Sequence, residues 1–261
     1  MTKPYYQDDL VTLYHGSCLE VREWLETDVL VTDPPYGTQN GVGPKKHRGG
    51  YGRRDKYDTG DGMAATIAGD ETTETRDAAL ELWGGRAALV FGSPRLPDPP
   101  IAVADRLVWD KRRPGMNGGP WRYRHESIYV TEGFVRASNA AVSIMSAFPE
   151  QGDHIHGKPV KLMEALVAAA PPGIIADPFA GSGATLLAAR NLGRRAVGVE
   201  FEERYCEVIV RRLGQQAFNF DDLLRPASDE VRASGWANDP DADEFAAWAP
   251  ANVTARGGDV A

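Results

Sequence analysis

Short apolar segments alternate with amphipathic helical patterns along most of the chain, and this alternation limits the fold more than any other feature. The apolar segments predict strands at Val11–His15, Val29–Thr32, Ala87–Phe91, Leu107–Trp109, Ser127–Val130, Ile174–Ala176 and Ala196–Val199. The helical patterns predict helices at about Leu19–Leu25, Glu71–Trp83, Pro159–Ala170, Gly183–Asn191 and Glu203–Leu213, with Gly214 as a stop. Strands that alternate with helices form βα units. The sequence therefore predicts an α/β fold around a largely parallel sheet.

The size and composition of the chain favour a cytoplasmic protein with a substantial core. The chain has 261 residues, of which 42% are hydrophobic, so it needs no disulfide to hold it together. We therefore expect its two cysteines, Cys18 and Cys206, to be reduced packing residues. The first nine residues are polar, and no apolar run approaches the roughly 18 residues of a membrane helix. This pattern predicts neither secretion nor membrane insertion.

The net charge of −8 conceals two basic stretches. Lys45 to Lys56 has six basic residues and one acid, and Arg106 to Arg124 has the same balance. The first stretch lies in Gly37–Gly69, a glycine-rich segment that is long for a mere connection. Residues 226–261 have seven acids, two arginines and no clear apolar face, which predicts a mobile acidic tail. Charge runs are often only solvated surface, so their meaning depends on their neighbours.

A glycine-rich turn joins a predicted strand to a predicted helix in the second half of the chain. Residues 174–185 read IIADPFAGSGAT. Glycines there let a ligand approach the backbone, and the helix N-terminus supplies free N–H donors. Glu200 follows Gly181 by 19 residues, near the roughly 20 typical of a carboxylate that accepts ribose hydroxyls. The missing third glycine disfavours a pyrophosphate-bearing cofactor, and a plain structural turn is the alternative.

A second motif combines a predicted buried strand with two prolines that restrict the backbone where the strand ends. Residues 29–37 read VLVTDPPYG, which puts Asp33 and Tyr36 at the C-terminal end of the strand, where ligands of open sheets bind. Pro34 and Pro35 have fixed φ angles and carbonyls that can accept hydrogen bonds. Acceptors beside an aromatic ring suit a flat base with an exocyclic amino group. An ordinary proline turn would not require Asp33 and Tyr36.

The two motifs, in this order, resemble those of the class β amino-methyltransferases of DNA, which use S-adenosylmethionine. The resemblance spans about Leu13 to Leu213. Besides both motifs it includes Trp109-Asp110-Lys111, Arg124-His125-Glu126, His154, Lys158-Pro159, Gly198-Val199-Glu200, Tyr205 and Arg212. It implies a Rossmann-like S-adenosylmethionine-dependent methyltransferase fold with a mostly parallel seven-stranded sheet and helices on both faces. It also implies a methyltransferase domain at residues 1–225, with a catalytic half at about 10–132 and a cofactor half at about 154–213.

The resemblance also implies roles for individual residues. The catalytic tetrapeptide is Asp33, Pro34, Pro35 and Tyr36, in which the Asp33 side chain and the Pro34 carbonyl accept hydrogen bonds from the target amine and Tyr36 stacks on the flipped base. The implied cofactor-binding residues are Ser17, Lys158, Asp177, Phe179, Ala180, Gly181, Ser182, Gly183, Glu200 and Phe201. Residues 177–183, helped by the segment around His154 and Lys158, would hold the methionine part, Glu200 the ribose, and Phe201 the adenine pocket. Ser17 replaces the family's usual acid near the adenine, and Ala184 replaces a usual threonine.

A base in a duplex must leave the stack to reach such a site, so we expect the basic stretches to contact double-stranded DNA. The predicted DNA-binding residues are Lys45, Lys46, Arg48, Arg53, Arg54, Arg112, Arg113 and Arg122, with Tyr51, Tyr57, Trp121 and Tyr123 as candidates for stacking. Only about two dozen residues separate Val130 from His154, too few for a separate recognition domain. Sequence reading would then fall to the basic stretches or to a partner, or specificity would be low. A homodimer and a companion restriction enzyme are both compatible with the resemblance.

Adenine N6 is the expected target, because within the family an aspartate that opens the tetrapeptide leans toward adenine and a serine toward cytosine N4. Methylation of cytosine N4 is the second interpretation. A non-catalytic DNA-binding protein of the same fold, and methylation of RNA or of a protein glutamine, are weaker alternatives. No metal is expected, since His154 and His156 have no cysteine or further acid spaced to complete a site.

Overall fold

A nine-stranded sheet forms the centre of the protein in a computed structural model that describes residues 2–37, 72–113, 121–134, 142–149 and 157–223. Its strands are β1 Tyr6–Gln7, β2 Val11–His15, β3 Val29–Thr32, β4 Ala88–Gly92, β5 Asp105–Asp110, β6 His125–Val130, β7 Ile144–Ser146, β8 Ile175–Asp177 and β9 Ala196–Glu200. The described helices are α1 Glu74–Trp83, α2 Val160–Ala169, α3 Ala184–Asn191 and α4 Glu203–Leu223, with a short 3-10 helix at Glu23–Glu26.

The sheet is mostly parallel, as the sequence predicts. Its strand order is β1-β2-β9-β8-β3-β4-β6-β5-β7. The five strands from β2 to β4 in this order pair in parallel, whereas β6 runs antiparallel to both of its neighbours and β1 antiparallel to β2. All seven predicted strands are present, but the expected number of strands was too low. The additional strands β1 and β7 are only two and three residues long, too short to show an alternating pattern.

Alternate residues of the central strands face two separate cores. Val29 and Val31 belong to the core that contains residues of α2, α3 and α4. Leu30, between them, belongs to the core formed with Trp24 and with residues of α1. Because side chains alternate across a strand, burial of all four residues of β3 is the pattern of a strand covered on both faces. This confirms helices on both faces of the sheet.

Two helix predictions were wrong. The helix expected at Leu19–Leu25 is only the 3-10 turn at Glu23–Glu26, where the Trp24 ring stacks on Trp83 with 5.8 Å between centroids. Packing of one large ring therefore governs this segment rather than helical periodicity. The stop expected at Gly214 does not occur, because α4 continues to Leu223. An interior glycine costs a helix only about 1 kcal/mol relative to alanine, which neighbouring helix-forming residues can offset.

The two sequence motifs leave the same edge of the sheet. Strands β3 and β8 are parallel neighbours, with Leu30 opposite Ala176. Just beyond this pair, the buried Thr32 hydroxyl donates a hydrogen bond of 2.7 Å to Oδ1 of Asp177. The fold thus brings the Asp33 segment beside the glycine-rich turn, although 145 residues separate the bonded pair in sequence. The division into domain halves stays a prediction, and the acidic tail lies outside the described residues.

Replacing Gly183 with alanine should lower the free energy of unfolding by about 2–4 kcal/mol, because it combines a left-handed backbone with overpacking. Gly183 has φ +83°, and a Cβ there would lie 2.9 Å from Cγ1 of Ile209. Gly193 provides the matched control, since it has φ +65° but no heavy atom within 4 Å of an added Cβ. Urea denaturation of both variants measures the difference. Equal losses would contradict a role for the contact with Ile209.

Candidate active site

A cavity of about 320 Å³ opens at the edge of the sheet where both motifs end. Thirteen of the fourteen residues predicted for catalysis or cofactor binding line it: Ser17, Asp33, Pro34, Pro35, Tyr36, Lys158, Asp177, Phe179, Ala180, Gly181, Ser182, Glu200 and Phe201. Gly183, the remaining one, is the residue that precedes α3 and packs against Ile209. The volume is within the range of small-molecule sites, roughly 300–1,000 Å³. The structure therefore brings the two motifs into one site.

Glu200 and the glycine-rich turn form one hydrogen-bonded unit at the cofactor end of the cavity. The Gly181 amide donates to Oε2 of Glu200 over 2.7 Å, and the Glu202 amide donates to Oε1 over 2.8 Å. The φ of Gly181 is +53°, a left-handed conformation that suits glycine. These bonds fix the Glu200 carboxylate, and each of its oxygens keeps a lone pair for a ligand hydroxyl.

Both buried acids at this end of the cavity hold protons more tightly than usual. Burial raises the pKa of Glu200 to about 7, despite the two backbone N–H donors that oppose the shift. Burial also raises the pKa of Asp177 to about 6, against hydrogen bonds from Thr185, Thr32 and the Phe179 amide. A ligand that supplies hydroxyl donors or a positive charge would favour the ionised forms of these acids.

A network of charged groups surrounds Asp33, which also lines the cavity. The Tyr36 hydroxyl donates to Oδ1 of Asp33 over 2.5 Å, and the Lys158 ammonium pairs with Oδ2. Lys158 also lies 3.2 Å from Oε2 of Glu126, whose other oxygen pairs with Lys111. We call Asp33, Tyr36, Lys158, Glu126 and Lys111 the Asp33 network. Its two lysines and two carboxylates balance in charge.

Aromatic rings enclose the ammonium of Lys158. Its Nζ lies 4.9 Å from the ring centroid of Phe91, 5.6 Å from that of Trp109 and 5.9 Å from that of Tyr36. Burial alone would lower the pKa of Lys158, but the carboxylates of Asp33 and Glu126 raise it above its usual value. Lys158 therefore remains a cation that contacts both acids and the faces of the rings.

Lysines and acids in the network shift the pKa values of their neighbours in opposite directions. Burial would raise the pKa of Glu126, but Lys158 and Lys111 hold it below the usual value. Burial and the two nearby carboxylates raise the pKa of Tyr36 well above that of free tyrosine. Glu126 is thus an acceptor and Tyr36 a donor at neutral pH.

Residues 121–211 match the family model described as DNA methylase, that of N6 and N4 methyltransferases. The type II methyltransferase M2.LlaDCHI of Lactococcus lactis subsp. cremoris is 25% identical over 254 residues, covering 83% of this chain and 94% of its own. These matches support the N6/N4 amino-methyltransferase family for this chain. The chain is accordingly a DNA amino-methyltransferase that uses S-adenosylmethionine.

Two solved structures of methyltransferases share the fold. The crystal structure of the M1.HpyAVI–SAM complex has a TM-score of 0.53 at 21% identity, covering 78% of this chain and all of that one. The PvuII DNA methyltransferase, described as cytosine-N4-specific, has a TM-score of 0.53 at 14% identity, covering 80% of this chain and 88% of that one. These likenesses confirm the Rossmann-like methyltransferase fold.

The cavity has features that suit the family's cofactor. S-Adenosylmethionine has ribose hydroxyls and two positively charged groups, its sulfonium and its amino group. The buried acids Glu200 and Asp177 offer acceptors to such groups, and Gly181 and Gly183, which have positive φ angles, leave the turn without β-carbons at those two points. The residues present therefore fit the cofactor.

Half of the second basic stretch is already ion-paired. Arg106 pairs with Asp98, Lys111 with Glu126, and Arg124 with Asp110. Of the predicted DNA-binding residues, Arg112 and Arg113 place their guanidinium groups 5.7 Å and 5.2 Å from the ring centroid of Phe148, and Arg122 is exposed. Trp121 is 77% exposed. Lys45, Lys46, Arg48, Arg53 and Arg54, with Tyr51, Tyr57, His154 and His156, lie outside the described residues.

Sequence reasoning assigned no role to Glu126, Lys111 or Thr32, although their contacts organise the site. Thr32 binds Asp177, and Glu126 and Lys111 belong to the Asp33 network. Glu126 falls in the Arg124-His125-Glu126 segment of the family resemblance, which gave it no role, and it is also an acid inside a strand whose following residues are buried. Such an acid is normally paired, but sequence does not identify its partner.

In the part of the chain that the structure describes, we find no thiolate cysteine, no group of metal ligands and no membrane-spanning helix. Cys18 and Cys206 are buried and unpaired by disulfides, and burial raises the pKa of each to about 12, so both remain thiols. No group of three metal-binding side chains occurs among the described residues. None of the described helices is long and apolar enough to cross a membrane.

Proposed function

We propose that the protein methylates the N6 amino group of a flipped adenine in double-stranded DNA, with Asp33, Pro34, Pro35 and Tyr36 at the target base. The observation that carries this proposal is the shared cavity. The Asp33 tetrapeptide and the Asp177–Gly183 turn meet there, joined by the Thr32–Asp177 hydrogen bond. S-Adenosylmethionine bound at the Asp177–Gly183 turn would thus have its methyl group beside a target amine bound at Asp33.

In this proposal, Asp33 and Pro34 prepare the target nitrogen. The lone pair of an exocyclic amine is delocalised into its ring, so the nitrogen becomes nucleophilic only when its hydrogens are drawn out of the ring plane. The Asp33 carboxylate and the Pro34 carbonyl would accept those two hydrogens. Bound S-adenosylmethionine supplies an activated methyl group, so positioning and the exclusion of water are the main tasks of the chain.

The cofactor end would bind through the other predicted residues. Residues 177–183 and Lys158 would hold the methionine part, Glu200 the ribose hydroxyls, and Phe201 and Ser17 the adenine pocket. Phe201 is 61% exposed at the cavity wall, which is compatible with a ring that adenine covers on binding. The Lys158 ammonium also contacts Asp33 and Glu126, so the same side chain would link the cofactor to the Asp33 network.

Nucleoside analysis of DNA tests the chemistry of the proposal. The purified chain is incubated with unmethylated duplex DNA and labelled S-adenosylmethionine, and the digested nucleosides are separated. The expected labelled product is N6-methyldeoxyadenosine. Label in N4-methyldeoxycytidine would overturn the adenine assignment, and labelled RNA or protein under the same conditions would overturn DNA as the substrate.

Cofactor affinity should increase with pH between about 6 and 8. The Glu200 carboxyl has a pKa of about 7 without ligand, so it is mostly neutral at the lower pH and mostly ionised at the higher. Ribose hydroxyls donate to the ionised form, so the dissociation constant should fall by up to about tenfold over this range. Calorimetry at three pH values measures the slope. Glu200→Gln should flatten it, and an unchanged slope in that variant would contradict the assignment.

Two exposed arginines of the second basic stretch, Arg113 and Arg122, should contribute to the salt dependence of DNA binding. If Arg113 and Arg122 contact phosphates, Arg113→Gln and Arg122→Gln should each lower the salt slope by about one unit. Arg106→Gln is the matched control, because the Arg106 guanidinium already binds Asp98. Binding to labelled duplexes across salt concentrations measures the slopes. An equal decrease in the control would mean that general charge, rather than these positions, governs binding.

Assembly, partners and location complete the proposal. A homodimer and a companion restriction enzyme stay predictions, to be checked by sedimentation of the purified chain and by a search of neighbouring genes for a nuclease. The first basic stretch is proposed to contact phosphates, and at least one residue of the two stretches to read a base. A cytoplasmic location also stays a prediction.

A further inference from the structure

Both oxygens of the Asp33 carboxylate are already engaged. Oδ1 accepts from the Tyr36 hydroxyl over 2.5 Å, and Oδ2 pairs with the Lys158 ammonium. Each oxygen has one further lone pair, so a target amine that donates to Asp33 either shares an oxygen with one of these donors or displaces that donor. Buried donors that lose an acceptor are costly unless another acceptor takes its place.

Glu126 is placed to be that second acceptor. Its Oε2 lies 3.2 Å from the Tyr36 hydroxyl and 3.2 Å from the Lys158 ammonium, the two donors that also bind Asp33. The Glu126 side chain is only 11% exposed, and the Lys111 ammonium holds its other oxygen. Each donor can thus turn from one carboxylate to the other while remaining hydrogen-bonded.

We infer that Glu126 is a positioning residue, which accepts the Tyr36 hydroxyl or the Lys158 ammonium when a target amine takes the place of that donor on Asp33. The inference rests on the proposed function, because it requires an amine at Asp33. Lys111 anchors Glu126 through one oxygen and leaves the other for the two donors. The charge of the Asp33 network stays balanced throughout, so the exchange moves hydrogen bonds without leaving a buried charge unpaired.

Replacing Glu126 with glutamine tests the inference. The variant keeps the shape but loses the carboxylate, so kcat for DNA methylation should fall about 100-fold, the scale of a misplaced reacting group. The cofactor dissociation constant should stay within about twofold, because Glu126 contacts the Asp33 end of the cavity. Glu132→Gln, an exposed acid just after the same strand, is the matched control and should keep wild-type kcat.

A double-mutant cycle separates positioning from a purely structural role. Tyr36→Phe removes one of the two donors that Glu126 is inferred to accept. Glu126→Gln should then cost about tenfold less in the Tyr36→Phe background than in the wild type. A structural role would lower kcat by the same factor in both backgrounds. Equal factors, or wild-type kcat in Glu126→Gln, would overturn the inference.

Glu126→Asp provides the second variant if Glu126→Gln fails to fold. It keeps the charge that pairs with both lysines but withdraws the carboxylate by one methylene, so kcat should still fall with the thermal midpoint nearly unchanged. Wild-type kcat in Glu126→Asp would overturn the inference. The wild-type assay separates the inference from the proposed function. A wild-type chain that does not methylate adenine refutes the proposed function, whereas the Glu126 variants test the inference in a chain that does.

Discussion

Replacing Asp33 with alanine should reduce methyl transfer by at least about 10³-fold while leaving cofactor binding intact. We propose that the Asp33 carboxylate acts on the target amine, whereas Glu200 and residues 177–183, which line the same cavity, hold the cofactor. Transfer of labelled methyl groups to DNA measures the first effect, and calorimetry with S-adenosylmethionine the second.

Two further variants control the Asp33 result. Asp33→Asn keeps the shape and one carbonyl acceptor but removes the charge that pairs with Lys158, so its activity should lie between those of the wild type and Asp33→Ala. Asp105→Ala changes an exposed aspartate on β5 and should have wild-type activity. If Asp33→Ala loses cofactor affinity as severely as activity, the role assigned to Asp33 is wrong.

Glu200→Ala should have the opposite profile and raise the cofactor dissociation constant by about 10- to 100-fold. A hydrogen bond to a charged acceptor contributes about 1.5–3 kcal/mol, and the ribose hydroxyls would lose such an acceptor. At saturating cofactor, turnover should recover, because Asp33 and its network are unchanged. Calorimetry and the cofactor dependence of the rate measure both quantities.

Glu203→Ala is the matched control for this experiment. Glu203 is an exposed acid at the start of α4, three residues beyond Glu200, and it is not part of the cavity wall. Its replacement should leave the cofactor dissociation constant unchanged. An unchanged constant in Glu200→Ala itself would remove the ribose assignment.

The sequence predicted the parts of the fold that local patterns determine. Strand β3 has the predicted bounds, Val29–Thr32, because its apolar run ends at Asp33 before two prolines. Strand β7 could not be predicted in the same way, since three residues form a strand here by pairing with β5. The expected helix at Leu19–Leu25 failed because the packing of Trp24 against Trp83 depends on a contact with a distant segment.

The candidate site was predictable where one motif contains its residues and unpredictable where the fold assembles them. Asp33 and Tyr36 are three residues apart and could be recognised together. Glu126 reaches Tyr36 only because β6 pairs with β4, which in turn pairs with β3. Lys158 was expected at the cofactor, and its contacts with Asp33 and Glu126 depend on the same arrangement of strands.

Expression in a host that lacks DNA methylation tests whether the chain methylates adenine in DNA and needs Asp33 to do so. Genomic DNA from cells producing the wild-type chain or Asp33→Ala is sequenced by a single-molecule method that detects modified bases in their sequence context. We expect N6-methyladenine in a recurrent short context with the wild type and none with Asp33→Ala. Unmodified DNA from wild-type cells that contain the folded protein, or equal methylation with Asp33→Ala, would contradict this expectation.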